Sequence, residues 1–195
     1  MRRIALFVVV IFLLSTVVLA ERREVVNRKN RFGGKTVEIT FDRKGNERRF
    51  LKRLRYFNSV GQLRREEVVF RQGELNTLGI DRGIERYDGD GHRVQVTILF
   101  NADKREETGT KRVATFFNVE GRKTREEVTY CKSQFQEQVY ARSVDYYSIF
   151  DKKTRSVYFL TKAQERKTGY YKMVDLYDGD TIIKTELYDR EGHAF

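Results

Sequence analysis

From Arg93 to Phe100 the chain reads RVQVTILF, and Val94, Val96, Ile98 and Phe100 alternate with Arg93, Gln95, Thr97 and Leu99. A period of two sends successive side chains to opposite faces of an extended segment, so the pattern predicts a β-strand. Segments of the same kind recur along the chain, and none carries the i, i+3, i+4 spacing of an amphipathic helix. Pro is absent from the sequence, which suits uninterrupted ladders because each Pro would remove a backbone donor.

The breaks between these segments are periodic. Phe57-Asn58-Ser59-Val60-Gly61 is followed thirty residues later by Tyr87-Asp88-Gly89-Asp90-Gly91, then by Phe117-Asn118-Val119-Glu120-Gly121. Two further steps reach the degenerate Tyr147-Ser148-Ile149-Phe150-Asp151 and then Tyr177-Asp178-Gly179-Asp180-Thr181. Residues 57–70 and 117–130 share seven identities in fourteen positions, which marks an internal repeat. The unit has a physical cause. An Asp or Asn side chain bonds the backbone two residues on, and Gly supplies the positive φ that closes the turn without steric cost. The same signature stands half a period out of phase at Phe41-Asp42-Arg43-Lys44-Gly45 and at Tyr188-Asp189-Arg190-Glu191-Gly192. Between the main turns, Phe70, Phe100, Tyr130 and Leu160 begin further polar breaks.

Turns about every fifteen residues predict an all-β fold, an antiparallel meander of roughly eleven strands from about Phe32 to Phe195, in one twisted or curled sheet built from hairpin repeats. Upstream, MRRIALFVVVIFLLSTVVLA has two Arg, an apolar run and a small-residue end at Ala20. It reads as a secretory signal peptide over residues 1–20, which implies a periplasmic or secreted product. Residues 21–31 read as a flexible basic arm, and residues 32–195 as a single β-repeat domain.

The aromatic-Asp-x-x-Gly units resemble the YD repeats of Rhs-type secreted proteins and the variant MORN-type repeats of bacterial envelope and antitoxin-like proteins, over about residues 40–195. The resemblance implies a β-sheet scaffold that encloses or binds other molecules, and it carries over no catalytic residue. The period of thirty is longer than usual for either family, and the second turn of each unit mostly lacks Gly.

The net charge is +11, of which Arg2 and Arg3 supply two. Such an excess favours anionic partners: phosphorylated lipid headgroups, acidic envelope polymers or nucleic acid, the last being the least expected of the three. Aligning the repeat exposes a column of cations at Lys52, Arg82, Arg112, Arg142 and Lys172, with Leu54, Ile84, Ala114, Val144 and Val174 two residues on. If every second strand carries one cation, they stand about 10 Å apart and suit a polyanion. The competing expectation is neutralisation by the next strand, Lys52 by Glu66 or Glu67 and Arg112 by Glu126 or Glu127.

Other candidate chemistry is thin. Asp88, Asp90 and His92 offer fewer ligands than a calcium loop needs, so both histidines read as turn residues, and neither metal nor cofactor is expected. With two His and one Cys, nucleophilic triads have few combinations, and Glu66 and Glu67 point to opposite faces of a strand. The chain therefore reads as a non-enzyme. Phe116, Phe117, Tyr146, Tyr147, Tyr170 and Tyr171 read as core aromatics in preference to sugar- or base-stacking ones. Cys131 has no internal disulfide partner and is open to an intermolecular one. The function expected is binding of an anionic envelope component or scaffolding. The alternatives are a protein-interaction or immunity-like module and a small outer-membrane β-barrel, which alternating charge disfavours.

Overall fold

The computed structural model describes residues 21–24, 29–41, 49–73, 76–131 and 139–195, and the signal peptide expected at 1–20 lies outside them. In chain order the elements are β1 (Glu21–Glu24), β2 (Gly33–Phe41), β3 (Phe50–Asn58), β4 (Leu63–Phe70), β5 (Ile80–Tyr87) and β6 (Arg93–Phe100). Then come α1 (Ala102–Thr108), β7 (Thr110–Phe117), β8 (Lys123–Tyr130), β9 (Tyr140–Tyr147), β10 (Lys153–Leu160), α2 (Lys162–Thr168), β11 (Lys172–Asp178) and β12 (Thr181–Tyr188). All twelve strands follow one another in a single antiparallel sheet, open at β1 and β12. β2 through β12 are the meander expected beyond Phe32. β1, formed by the first residues of the segment expected as an arm, pairs with β2 from Glu21↔Phe41 to Glu24↔Glu38. That pairing covers backbone groups that an edge strand otherwise leaves free.

One end of the sheet is made by the repeat turns. Asn58 Oδ1 accepts from the amides of Val60 and Gln62 at 3.2 and 2.8 Å, and Asp88 Oδ1 accepts from Asp90 and His92, both at 2.9 Å. Asn118 and Ser148 do the same work in the next two turns. The closing position has φ of 85° at Gly61, 90° at Gly91 and 76° at Gly121. In the degenerate unit Asp151 takes it at 57°, which Asp tolerates better than most side chains.

The other end carries longer connections, and two of them are helices that the sequence pattern did not predict. Asn101 caps α1 by accepting from Lys104, and Gly109 ends it at φ 66°. Thr161 and Gly169 bracket α2 in the same way. Each helix is seven residues long with no buried residue, so neither shows an apolar stripe; the caps alone announce them.

Directly paired residues share a face, so the register sorts the core. On one face of the N-terminal half, Ile39, Phe41, Phe50, Val68, Phe70, Ile80 and Ile98 form a cluster, with Leu78 from the β4–β5 loop packed against it. Phe50 stacks at 5.9 Å on Phe41 and 5.2 Å on Phe70. Full burial of each such side chain is worth roughly 1.5–3 kcal/mol. In the C-terminal half the apolar cluster lies on the other face: Val144, Val157 and Val174, flanked by Tyr146, Phe159, Leu176 and Tyr188. Long charged side chains supply much of the cover in this single layer. Arg53 is only 4% exposed and lies across the Phe41 ring at 5.9 Å.

Four of the five aromatics that open the in-phase turn signatures have a further role, while Tyr87 donates to Glu85 instead. Lys35 lies over Phe57, Arg93 over Phe117, Lys123 over Tyr147 and Lys153 over Tyr177, at 5.8, 5.0, 3.8 and 5.5 Å from the ring centres. Each cation comes from the strand preceding the one that carries its ring, so the contact joins one hairpin to the next. Such contacts contribute roughly 0.5–1 kcal/mol each at partly exposed sites.

Candidate anion-binding face

The expected cation column is a straight row across the sheet. The register runs Thr40↔Lys52↔Val69↔Arg82↔Leu99↔Arg112↔Thr129↔Arg142↔Phe159↔Lys172↔Tyr188. All five cations therefore stand on one face, the basic face, on alternate strands and about 10 Å apart. This is also the face that carries the Val144, Val157 and Val174 cluster.

The ion pairs divide the row. Lys52 Nζ lies 3.3 Å from Glu38, and an Arg82 Nη lies 2.7 Å from Glu67. Arg112, Arg142 and Lys172 make no ion pair among the described residues, although Glu186, bound to Lys184, lies close enough to Lys172 to interact with its charge. Instead, Arg142 sits over the Phe159 ring at 4.5 Å and Lys172 over Tyr188 at 4.1 Å. A guanidinium resting on a ring still has N–H donors to offer oxygen ligands.

The pairings anticipated from sequence differ from those formed. Glu66 faces away from the row and binds Arg55 at 2.7 Å and Arg53 at 3.4 Å. Glu67, on the basic face, takes Arg65 and Arg82, so the two adjacent carboxylates do point to opposite faces. Glu126 faces away and meets Lys123 at 3.9 Å, while Glu127 takes Arg125 at 3.3 Å. The register decides this: Arg112 lies opposite Thr129, and Glu127 lies opposite Ala114.

A second basic row lies on the same face nearer the turns, four residues or about 13 Å along the strands. It runs Tyr56↔Arg65↔Arg86↔Gln95↔Phe116↔Arg125↔Tyr146↔Arg155↔Leu176↔Lys184. Arg65, Arg125 and Arg155 cover Tyr56, Phe116 and Tyr146 at 5.5, 3.9 and 4.1 Å. Sequence reasoning missed this row, although Arg65, Arg125 and Arg155 recur in phase with the repeat. Partial burial holds the Arg86 guanidinium below its usual pKa, and the neighbouring cations Arg65, Arg31 and Arg112 add to the effect. Between the two rows the same face carries Glu38, Glu67, Glu127 and Glu186, which pair with Lys52, with Arg65 and Arg82, with Arg125 and with Lys184.

The aromatics expected to form core are mostly covered by cations, Phe116, Phe117, Tyr146 and Tyr147 as above and Tyr171 by Arg190 at 4.9 Å. His92 and His193 hold their turns: Nδ1 of each lies 3.1 and 3.0 Å from the second oxygen of Asp88 and Asp189. Asp88–Asp90–His92 and Asp189–Glu191–His193 each gather their ligand atoms within 4.8 Å on an exposed turn, and in each trio the Asp already serves the turn amides. Cys131 is half-buried, its Sγ 3.8 Å from the Arg105 carbonyl. No family model matches the chain, and no curated protein matches it.

Proposed function

We propose that the chain is a non-catalytic β-repeat scaffold, secreted or periplasmic, that binds an anionic polymer of the cell envelope along its basic face. The observation that carries this reading is the run Arg112, Arg142 and Lys172, in one row on alternate strands, without ion pairs among the described residues and with two of the three on aromatic rings. The row favours a polymer whose phosphates or carboxylates recur about every 10 Å along an extended chain.

The test is binding of Glu21–Phe195 to lipopolysaccharide, an acidic glycan and duplex DNA over a salt titration. Three released counterions give a log–log salt slope of about −2 to −3, expected for one of the envelope anions. Salt-independent binding, or none to any anion, overturns the reading and moves the search to a protein partner.

A further inference from the structure

The turn end of the sheet exposes apolar side chains that the turns do not need. Each turn is closed by its Asx or Ser bonds and its positive-φ residue, yet Val60 is 75% exposed, Val119 62%, Ile149 62% and Phe150 74%. The equivalent turn at Gly89–Asp90 carries none, so turn chemistry does not impose them. Val119, Ile149 and Phe150 belong to neighbouring turns tied together by an Arg122 guanidinium that donates to the Ile149 carbonyl at 2.5 Å.

Behind these tips lies a band of cations and rings on both faces of the sheet. Lys123 and Lys153 stand on one face over Tyr147 and Tyr177. Arg125 and Arg155 stand on the other over Phe116 and Tyr146. From Phe150 the band begins three residues on, at Lys153, the first residue of β10. Apolar tips followed by aromatic rings and cations match the layers of an anionic bilayer surface, acyl boundary first and headgroups next.

We propose that this end of the sheet docks on an anionic lipid surface, with Val119, Ile149 and Phe150 entering the acyl boundary and the flanking Arg and Lys meeting the headgroups. The surface is distinct from the row of Arg112, Arg142 and Lys172, and docking here does not depend on polymer binding there.

The chain contains no Trp, so a single Trp reports on its own surroundings. Phe150→Trp and, at the opposite end, Ala102→Trp are each made in Glu21–Phe195, which holds all twelve strands, and mixed with phosphatidylethanolamine–phosphatidylglycerol vesicles. The expected result is a blue-shifted Trp emission, quenched by brominated acyl chains, for F150W and not for A102W. Val119→Ser combined with Ile149→Ser and Phe150→Ser should lower vesicle co-sedimentation several-fold while leaving the circular dichroism spectrum unchanged. No shift at F150W, an equal shift at A102W, or a shift as large on phosphatidylcholine vesicles overturns the proposal.

Discussion

Glu67 places structure and function in opposition, and Glu67→Gln separates them. Its side chain is 5% exposed and binds Arg65 at 2.6 Å and Arg82 at 2.7 Å. Breaking a buried pair costs about 3–5 kcal/mol because a charge is left uncompensated. Here the stranded guanidinium groups have somewhere to go: Arg82 is 42% exposed and Arg65 17%, so water recovers part of the loss and about 2 kcal/mol remains. For a chain of this size that lowers Tm by roughly 4–8 °C, read by circular dichroism. The same change removes one of the negative charges between the two basic rows and frees two guanidinium groups. Binding to an acidic polysaccharide such as alginate should therefore strengthen at temperatures where the variant is folded. An unchanged Tm would refute the buried-pair reasoning. Weaker binding would refute the assignment of the basic face.

Further tests address the turns and the titrating groups. Gly121→Ala should cost about 1–2 kcal/mol, since its φ of 76° strains any L side chain although open space surrounds it, whereas Asp151→Gly should cost little or stabilise; equal thermal shifts would contradict the turn assignment. The His193 amide and ring hold the Asp189 carboxyl below its usual range, and the Arg190 hydrogen bonds do the same for Glu165. A depressed carboxylate stabilises above its unfolded value and loses that contribution as pH falls through its folded one. Faster amide exchange at residues 189–195 should therefore set in only below about pH 4; onset near neutrality would contradict this. Burial pushes the Tyr87 and Tyr147 phenols up, helped for Tyr87 by its hydrogen bond to Glu85. Their contribution is complete below about pH 10 and lost as pH rises above it. An ultraviolet titration should show these phenols resisting ionisation until the sheet unfolds, and free titration at the ordinary value would contradict their burial.

The repeat was legible because its chemistry is local. Asn58, Asp88 and Asn118 close their turns with amides two to four residues away, and no distant partner is needed to recognise them. The cation row was legible for a related reason: thirty residues span two strands, so an in-phase column becomes a row on one face. Ion-pair partners were not legible, because they depend on register. Bulges between Arg86 and Tyr87 and between Phe116 and Phe117 shift the pairing by one residue, and a one-residue shift moves a side chain to the opposite face. The short helices escaped because seven exposed residues carry no stripe, although Asn101 with Gly109 and Thr161 with Gly169 bracket them. The apolar turn tips escaped because hydrophobicity at a turn is informative only once its exposure is known.

The measurement that bears most directly on the basic face compares two neutralised variants of Glu21–Phe195 against one envelope anion over a salt titration. One carries Arg112→Gln, Arg142→Gln and Lys172→Gln; the other carries Lys52→Gln and Arg82→Gln, whose cations already have carboxylate partners. The expected result is that the first variant loses most binding and its log–log salt slope flattens by about 2 to 3, while the second keeps most of both. Equal losses in the two variants, or wild-type binding by the first, would contradict the claim that the end of the row without ion pairs is the site.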